Sequence, residues 1–174
     1  KDVSGSVVTS ILEGSRPLLV EIQALVSRSS FGYARRRAQG FDFNRLSLLI
    51  AVLEKRIGLA LEAEDIFVNV AGGIKIEDPT ADLAVAVAVA SAFREQMIIA
   101  DTIILGEVGL AGEIRSISQI LLRINEAEKL GFKHAIIPKN NHKSFKAYKG
   151  GIELIPVATL KEGLDLSLAP GLKG

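Results

Sequence analysis

Asp78-Pro79-Thr80-Ala81-Asp82-Leu83-Ala84-Val85-Ala86-Val87-Ala88-Val89-Ala90 carries two conflicting signals. From Leu83 onward Ala and Val alternate with the period of a strand. The stretch continues to Gln96, however, and its length and alanine content are those of a helix. Asp78 is a suitable N-cap and Pro79 suits a first helical turn. The balance is a helix over residues 80–96. Its small side chains let neighbouring backbone come close, as in a buried central helix.

The flanking segments supply a sheet and further helices. Residues 6–13 and 18–26 read as strands joined at Gly14-Ser15-Arg16-Pro17, a turn cluster that favours a hairpin. Residues 28–40 are polar and basic and read as a loop. A helix over residues 42–57 places Leu46, Leu49, Ile50, Leu53 and Ile57 on one face, with Gly58 as its stop. Residues 66–70 and 74–76 read as strand on either side of Gly72-Gly73, and residues 102–107 and 113–117 as strands around Gly109-Leu110-Ala111-Gly112. A helix over residues 118–130 puts Ile117, Ile120, Leu121, Ile124 and Ala127 on one face and ends at Gly131. A short strand at 135–137 closes at Pro138, a strand follows at 152–156, a helix at 160–166, and residues 169–174 read as a frayed tail. The expected fold class is α/β, an α+β mixed sheet with packed helices, in one domain over residues 1–174.

Composition narrows the chemistry. With 48% hydrophobic but only 5% aromatic residues, the core is expected to be Val, Ile, Leu and Ala. No cysteine is present, which excludes disulfides and thiolate sites, and two histidines eight positions apart make a His-rich metal site improbable. Residues 84–92 are too short to span a bilayer, so no membrane contact is expected. The formal net charge is +1, so an argument for nucleic acid must rest on local clusters. Neither Gly72-Gly73 nor Gly109–Gly112 has the spacing of a phosphate-binding loop, and no cofactor is expected in this segment. The chain opens at Lys1 rather than methionine, and the expectation is a fragment of a longer protein.

Asp78-Pro79-Thr80-Ala81-Asp82-Leu83-Ala84, Gly106-Glu107-Val108-Gly109-Leu110-Ala111-Gly112-Glu113-Ile114-Arg115, and Glu126-Ala127-Glu128-Lys129-Leu130-Gly131-Phe132 leading to Ala135-Ile136-Ile137-Pro138 form one further pattern. With Asn44-Arg45-Leu46, it resembles the proteolytic domain of the Lon peptidases. It is more similar to the Lon-like C-terminal domain of the RadA (Sms) family of bacterial DNA repair proteins. The resemblance covers essentially the whole chain, and residues 106–115 are its most specific part. It implies a Lon proteolytic-type fold of the ribosomal-protein-domain-like class. It also implies a zinc finger and a RecA-like ATPase ahead of this segment, so that ATP, Mg and Zn sites lie outside it. The implied whole is a cytoplasmic, hexameric, DNA-dependent ATPase acting in branch migration on single-stranded or branched DNA, with a RecA-type recombinase as a further partner.

The same resemblance sharpens a negative. Lon peptidases carry a nucleophilic serine where this chain has Thr80, and a lysine base where it has Leu121. No lysine occurs between Lys75 and Lys129, and a register slip offers only Ser118, Gln119, Ile120, Leu122 or Arg123. None is a base at neutral pH, since arginine does not deprotonate. A hydroxyl without an adjacent base is a poor nucleophile. Thr80 then reads as a helix-start hydroxyl and Leu121 as an ordinary core residue, unless the fold brings His134 or His142 to Thr80. The expected function is a catalytically inactive domain that scaffolds the ring and contacts DNA. The alternatives are a Lon-type peptidase with a rearranged dyad and an oligomerisation domain without DNA contact.

Two basic clusters are the candidate nucleic-acid contacts. Arg28, Arg35, Arg36 and Arg37 fall in the 28–40 loop with Phe31 and Tyr33; arginine forks suit phosphates and an aromatic stacks on an exposed base. A solvated loop or an intersubunit contact would look the same. Lys139, Lys143 and Lys146, near His142 and Lys149, approximate helical spacing on one face, which also describes an ordinary solvated helix.

Overall fold

In a computed structural model, described for residues 3–30 and 32–170, the hairpin comes first. Strands β1 (Ser6–Glu13) and β2 (Arg16–Arg28) pair antiparallel from Ser6↔Gln23 to Glu13↔Arg16. The turn is therefore only Gly14-Ser15, with Gly14 at φ 63°, the left-handed first position that a type II′ turn reserves for glycine. Arg16 and Pro17, expected in the turn, are already strand.

The expected loop over residues 28–40 holds a third strand, β3 (Arg36–Gln39). It pairs parallel with β4 (Glu64–Val70), Arg36↔Ile66 to Gln39↔Asn69, on the outer side of the sheet. Arginine and glutamine hide the strand signal because an edge strand with one open face has little to bury. Asp42 then caps α1 (Phe43–Val52) by accepting from the Arg45 amide, and the helix widens into a π turn over Leu53–Ile57 before Gly58.

The Ala/Val stretch is helix α2 (Asp82–Arg94), entered through a single 3-10 turn at Pro79–Ala81. Every residue from Thr80 to Ser91 is buried, so the alternation reflects a helix surrounded on all sides. The expected strand at 74–76 is irregular backbone. Gly40 (φ 82°) folds back against it; the Ile76 amide donates to the Gly40 carbonyl, and a Cβ on Gly40 would lie 2.4 Å from the Ile74 carbonyl oxygen.

Residues 102–107 divide between two sheets: β5 (Thr102–Ile104) joins the main sheet, while β6 (Glu107–Val108) pairs with β7 (Ile114–Arg115) in a small hairpin. Helix α3 (Ile120–Lys129) starts two residues later than expected, because Gln119 takes a left-handed conformation at φ 53°. Strand β8 (His134–Pro138), the short α4 (His142–Phe145), β9 (Glu153–Val157) and α5 (Leu160–Ser167) complete the chain. The Ala169 amide donates to Met97 and Leu168 bridges to Ile98, so the expected tail is held at its start; residues 171–174 of it lie outside the described residues.

The seven-stranded mixed sheet runs β3-β4-β2-β1-β5-β8-β9, which meets the expected α/β class. The core on one face joins α1, α2 and α5 to alternate residues of the strands, such as Val20, Ile22, Ile66 and Val68. On the other face α3, with Phe145 and Tyr148 near α4, covers Ile103, Leu105, Ala135 and Ile137. That second layer reaches Leu19 of β2 and stops. Among the described residues no helix packs on the outer part of the same face, on β2, β4 and β3.

Candidate functional site

The resemblance to peptidases directs attention to the start of α2. Asp78 sits there as a double acceptor: its Oδ1 takes the Thr80 amide at 3.0 Å and its Oδ2 takes Nη1 of Arg123 at 2.7 Å. Burial pushes the Asp78 carboxyl up, but hydrogen bonds from Thr80 and then Arg123 outweigh it and hold it below the ordinary carboxylate value. Thr80 is buried, its carbonyl accepts from the Gly106 amide, and it does not line the cavity of about 660 Å³ that opens beside Asp78, Arg45, Lys75 and Phe41. Neither histidine is among the hydrogen-bond partners of Thr80 or Asp78. His134 stands in the sheet with its Nδ1 3.8 Å from Glu153, and His142 is on α4.

Arg123 is what sequence reasoning missed. Its side chain is 0% exposed, and the guanidinium donates to Asp78, to the Ser10 carbonyl at 2.8 Å and to the Ser118 carbonyl at 2.9 Å. One cation thus ties β1, the start of α3 and the entry to α2. Leu121, the position matched to a lysine base, is only partly buried against the α3-side core. It sits on the flank of the stripe formed by Ile120, Ile124 and Ala127, so the expectation of an ordinary core residue is met in part. The signal was present: Ile120, Arg123, Ile124 and Ala127 have i, i+3, i+4, i+7 spacing, which places an arginine on the buried face.

A second pair closes the other side of α2. Arg45 donates through Nε and Nη2 to both oxygens of Asp82, which also accepts from the Val108 amide at 3.2 Å. Burial raises the Asp82 carboxyl above its ordinary value against the pull of Arg45 and that amide, while the hydrogen bond to Asp82 raises the Arg45 guanidinium and keeps it charged. The pair locks α1, α2 and the β6-β7 hairpin together.

The arginine cluster is not one loop patch. Arg36 lies on β3 pointing to the α1 side, where its Nη2 donates to the Leu61 carbonyl at 2.8 Å. Arg35 bonds Asp65 through its amide at 2.8 Å and its guanidinium at 3.0 Å, and its guanidinium stands 5.7 Å from the Phe67 ring centre. These bonds, led by the Arg35 amide, hold the Asp65 carboxyl below its usual range. Arg28 at the end of β2 and Arg37 on β3 are exposed, and their side chains make no hydrogen bond or ion pair among the described residues. Tyr33 is 84% exposed, and Phe31 lies outside the described residues.

Lys139, Lys143 and Lys146 are exposed around a 3-10 turn (Lys139–Asn141) and α4, without an ion pair among the described residues. They follow β8, next to the β9 edge, whereas Arg36 and Arg37 are on the β3 edge strand and Arg28 ends β2, two strands further in. Five strand spacings, roughly 24 Å, separate β8 from β3, and three, roughly 14 Å, separate it from β2. The fold does not merge them into one patch. Among the described residues no group of His, Cys, Asp and Glu could hold a metal ion, and no helix is long and apolar enough to cross a membrane.

Comparison with known proteins gives the relatives. Residues 44–141 match the family model ChlI, described as subunit ChlI of Mg-chelatase. The chain is 49% identical over 95% of its length to a protein of Halalkalibacterium halodurans named DNA repair protein RadA, of which it covers 36%. Proteins of the same name from Bacillus subtilis (51% identity, 95% of this chain, 36% of that protein) and Synechocystis (46%, 95%, 32%) are similar to it. The chain spans about a third of the length of these relatives. Its relatives at about half identity are DNA repair proteins named RadA, and by a family match over more than half its residues the chain belongs to the ChlI family.

Proposed function

We propose that this chain is a peptidase-like domain without peptidase chemistry, serving a DNA repair ATPase of the RadA kind as a ring scaffold with a DNA-contacting surface. The observation that carries the reading is Arg123. Asp78, the carboxylate that takes the Thr80 amide, is bound by a buried guanidinium, and a permanently charged donor removes no proton from Thr80. Arg123 and Asp78 instead join three elements, which suits a rigid scaffold.

The names of the relatives supply the DNA repair role, and Arg28, Arg37, Lys139, Lys143 and Lys146, exposed and without an ion pair among the described residues, supply cations for phosphates. In this reading ATP, Mg and Zn are bound by parts of the protein outside this chain. The chain packs as one domain in a cytoplasmic homohexamer that moves along single-stranded or branched DNA beside a RecA-type recombinase.

Two measurements test it. Incubated with an unfolded casein-like substrate, the chain should release no peptides, and Thr80→Ala should change nothing. Cleavage that depends on Thr80 would establish the peptidase alternative. In DNA titrations against salt, replacing Lys139, Lys143 and Lys146 by alanine should weaken binding and flatten the salt slope by about 0.9 for each phosphate no longer neutralised. An unchanged slope in those variants and in Arg28→Ala/Arg37→Ala would leave an assembly domain that does not touch DNA.

A further inference from the structure

The uncovered outer face of the sheet has an organisation that packing does not require. Register places Gln23, Asn69 and Gln39 in one cross-strand row over β2, β4 and β3. The next row is Leu25, Phe67 and Arg37, and beyond it Ser27 and Asp65 meet Arg35. An amide row, an apolar and cationic row and a charged row thus succeed one another at about 7 Å, two residues of strand rise. The first two rows line a concavity of about 580 Å³. Leu25 is 64% exposed on its floor, where a solvent-facing strand would ordinarily carry a polar side chain.

Charge indicates what fits there. Of the two carboxylates on this face, Asp65 is paired with Arg35, whereas Glu21 accepts only from the neutral Ser6 and Gln23, keeps its charge, and lies outside the lining of the concavity. Arg37 has no partner among the described residues, and no lysine lies on the three strands. The face therefore presents an unneutralised guanidinium beside an apolar floor, next to amides that both donate and accept. That set matches a base with its phosphate: a flat apolar ring to lie on Leu25 and Phe67, polar edges to meet amides, and an anion for arginine. A concave surface three strands wide accommodates bases splayed out of a strand but not the outside of a duplex, whose bases are stacked within.

We infer that the open β2-β4-β3 face binds single-stranded DNA, with an unstacked base against Leu25 and Phe67, its edge toward Gln23, Gln39 and Asn69, and its phosphate at Arg37. This rests on the proposed DNA contact and deepens it: the lysines after β8 serve the phosphates of either DNA form, whereas this face selects unpaired strand.

The test uses the 174-residue chain, a fluorescein-labelled oligothymidylate and a duplex of equal length, read by anisotropy. Arg37→Ala and Phe67→Leu should each weaken single-strand binding about tenfold, the scale of one stacked base or one neutralised phosphate, and leave duplex binding unchanged. Should Phe67→Leu unfold, as read by circular dichroism, the exposed Arg37→Ala decides alone. If neither variant alters single-strand affinity while the triple lysine variant abolishes it, the face is refuted and the proposed DNA contact stands. If the unaltered chain binds neither DNA, both fall. If Arg37→Ala and Phe67→Leu shift the sedimentation of the chain and not its DNA affinity, the face is a contact between copies and the inference is overturned.

Discussion

The start of α2 and the open face of β2-β4-β3 hold the same kinds of side chain in opposite arrangements. At the first, Arg123 and Asp78 are turned inward and saturate one another and three backbone groups. On the second, Arg35 and Asp65 form a pair whose arginine is half in solvent, and Arg37 beside it has no ion pair among the described residues. An ion pair deep inside contributes through what breaking it leaves behind, while one at the surface is screened and contributes little. The difference separates stability from recognition: the inward cluster holds the scaffold, and the outward one is available to a ligand. Arg123→Ala gives the largest expected effect on this comparison. It leaves the Ser10 carbonyl without its side-chain donor and Asp78 with only Thr80, and empties a fully buried position, at a cost of about 3–5 kcal/mol read by urea unfolding. A loss under about 1 kcal/mol would mean that water enters and that the site is not closed in the way described.

Arg45→Ala comes next. Asp82 is fully buried and would retain only the Val108 amide, but Arg45 itself is one-third exposed and water can replace part of it. The expected loss is about 2–3 kcal/mol, below that of Arg123→Ala. Acid gives a smaller and more gradual effect. Asp78 and Asp65 both have folded-state values below the unfolded carboxylate value of about 3.9. The stability they contribute is therefore complete above that pH and is lost as pH falls through their folded values. Asp82, whose folded value is raised, acts with the opposite sign and adds stability as pH falls through that value, so the drop in unfolding midpoint should come only below about pH 4, and Asp78→Asn should make that drop shallower. An equally steep drop in Asp78→Asn would assign the acid limb to other carboxylates.

What could be read from the sequence divides along the same line. Buried elements were legible because burial imposes a period: α1 from Leu46, Leu49, Ile50 and Leu53, the β1-β2 hairpin from its turn, and α2 from length and its Asp-Pro start. β3 was not, because Arg36, Arg37 and Gln39 on an edge strand with one open face carry no apolar alternation. Residues 74–76 misled in the other direction: Ile74 and Ile76 alternate like a strand but reach no ladder, since the chain turns at Gly72 and Gly73 first. At the candidate site, the absence of a lysine was visible in the sequence, but the group that replaced it was not. Matching motifs singled out Leu121, whereas the buried stripe of α3 contains Arg123, and only the fold shows Asp78 opposite it.

Arg37→Ala should have the smallest effect on stability and is the sharper half of the comparison for that reason. The side chain is exposed, makes no hydrogen bond or ion pair among the described residues, and stands on a strand whose pairing with β4 is through backbone. Its removal exposes nothing and unpairs nothing, so stability should move by no more than about 0.5 kcal/mol, within the range of ordinary surface substitutions. Arg123→Ala differs from it only in place, since both delete one guanidinium. If the two variants were to cost the same in urea unfolding, the inward and outward arrangements would not differ in role. One arginine holding the fold and another facing a ligand should instead give a several-fold gap in stability, with the DNA effect confined to the variant that stays fully stable.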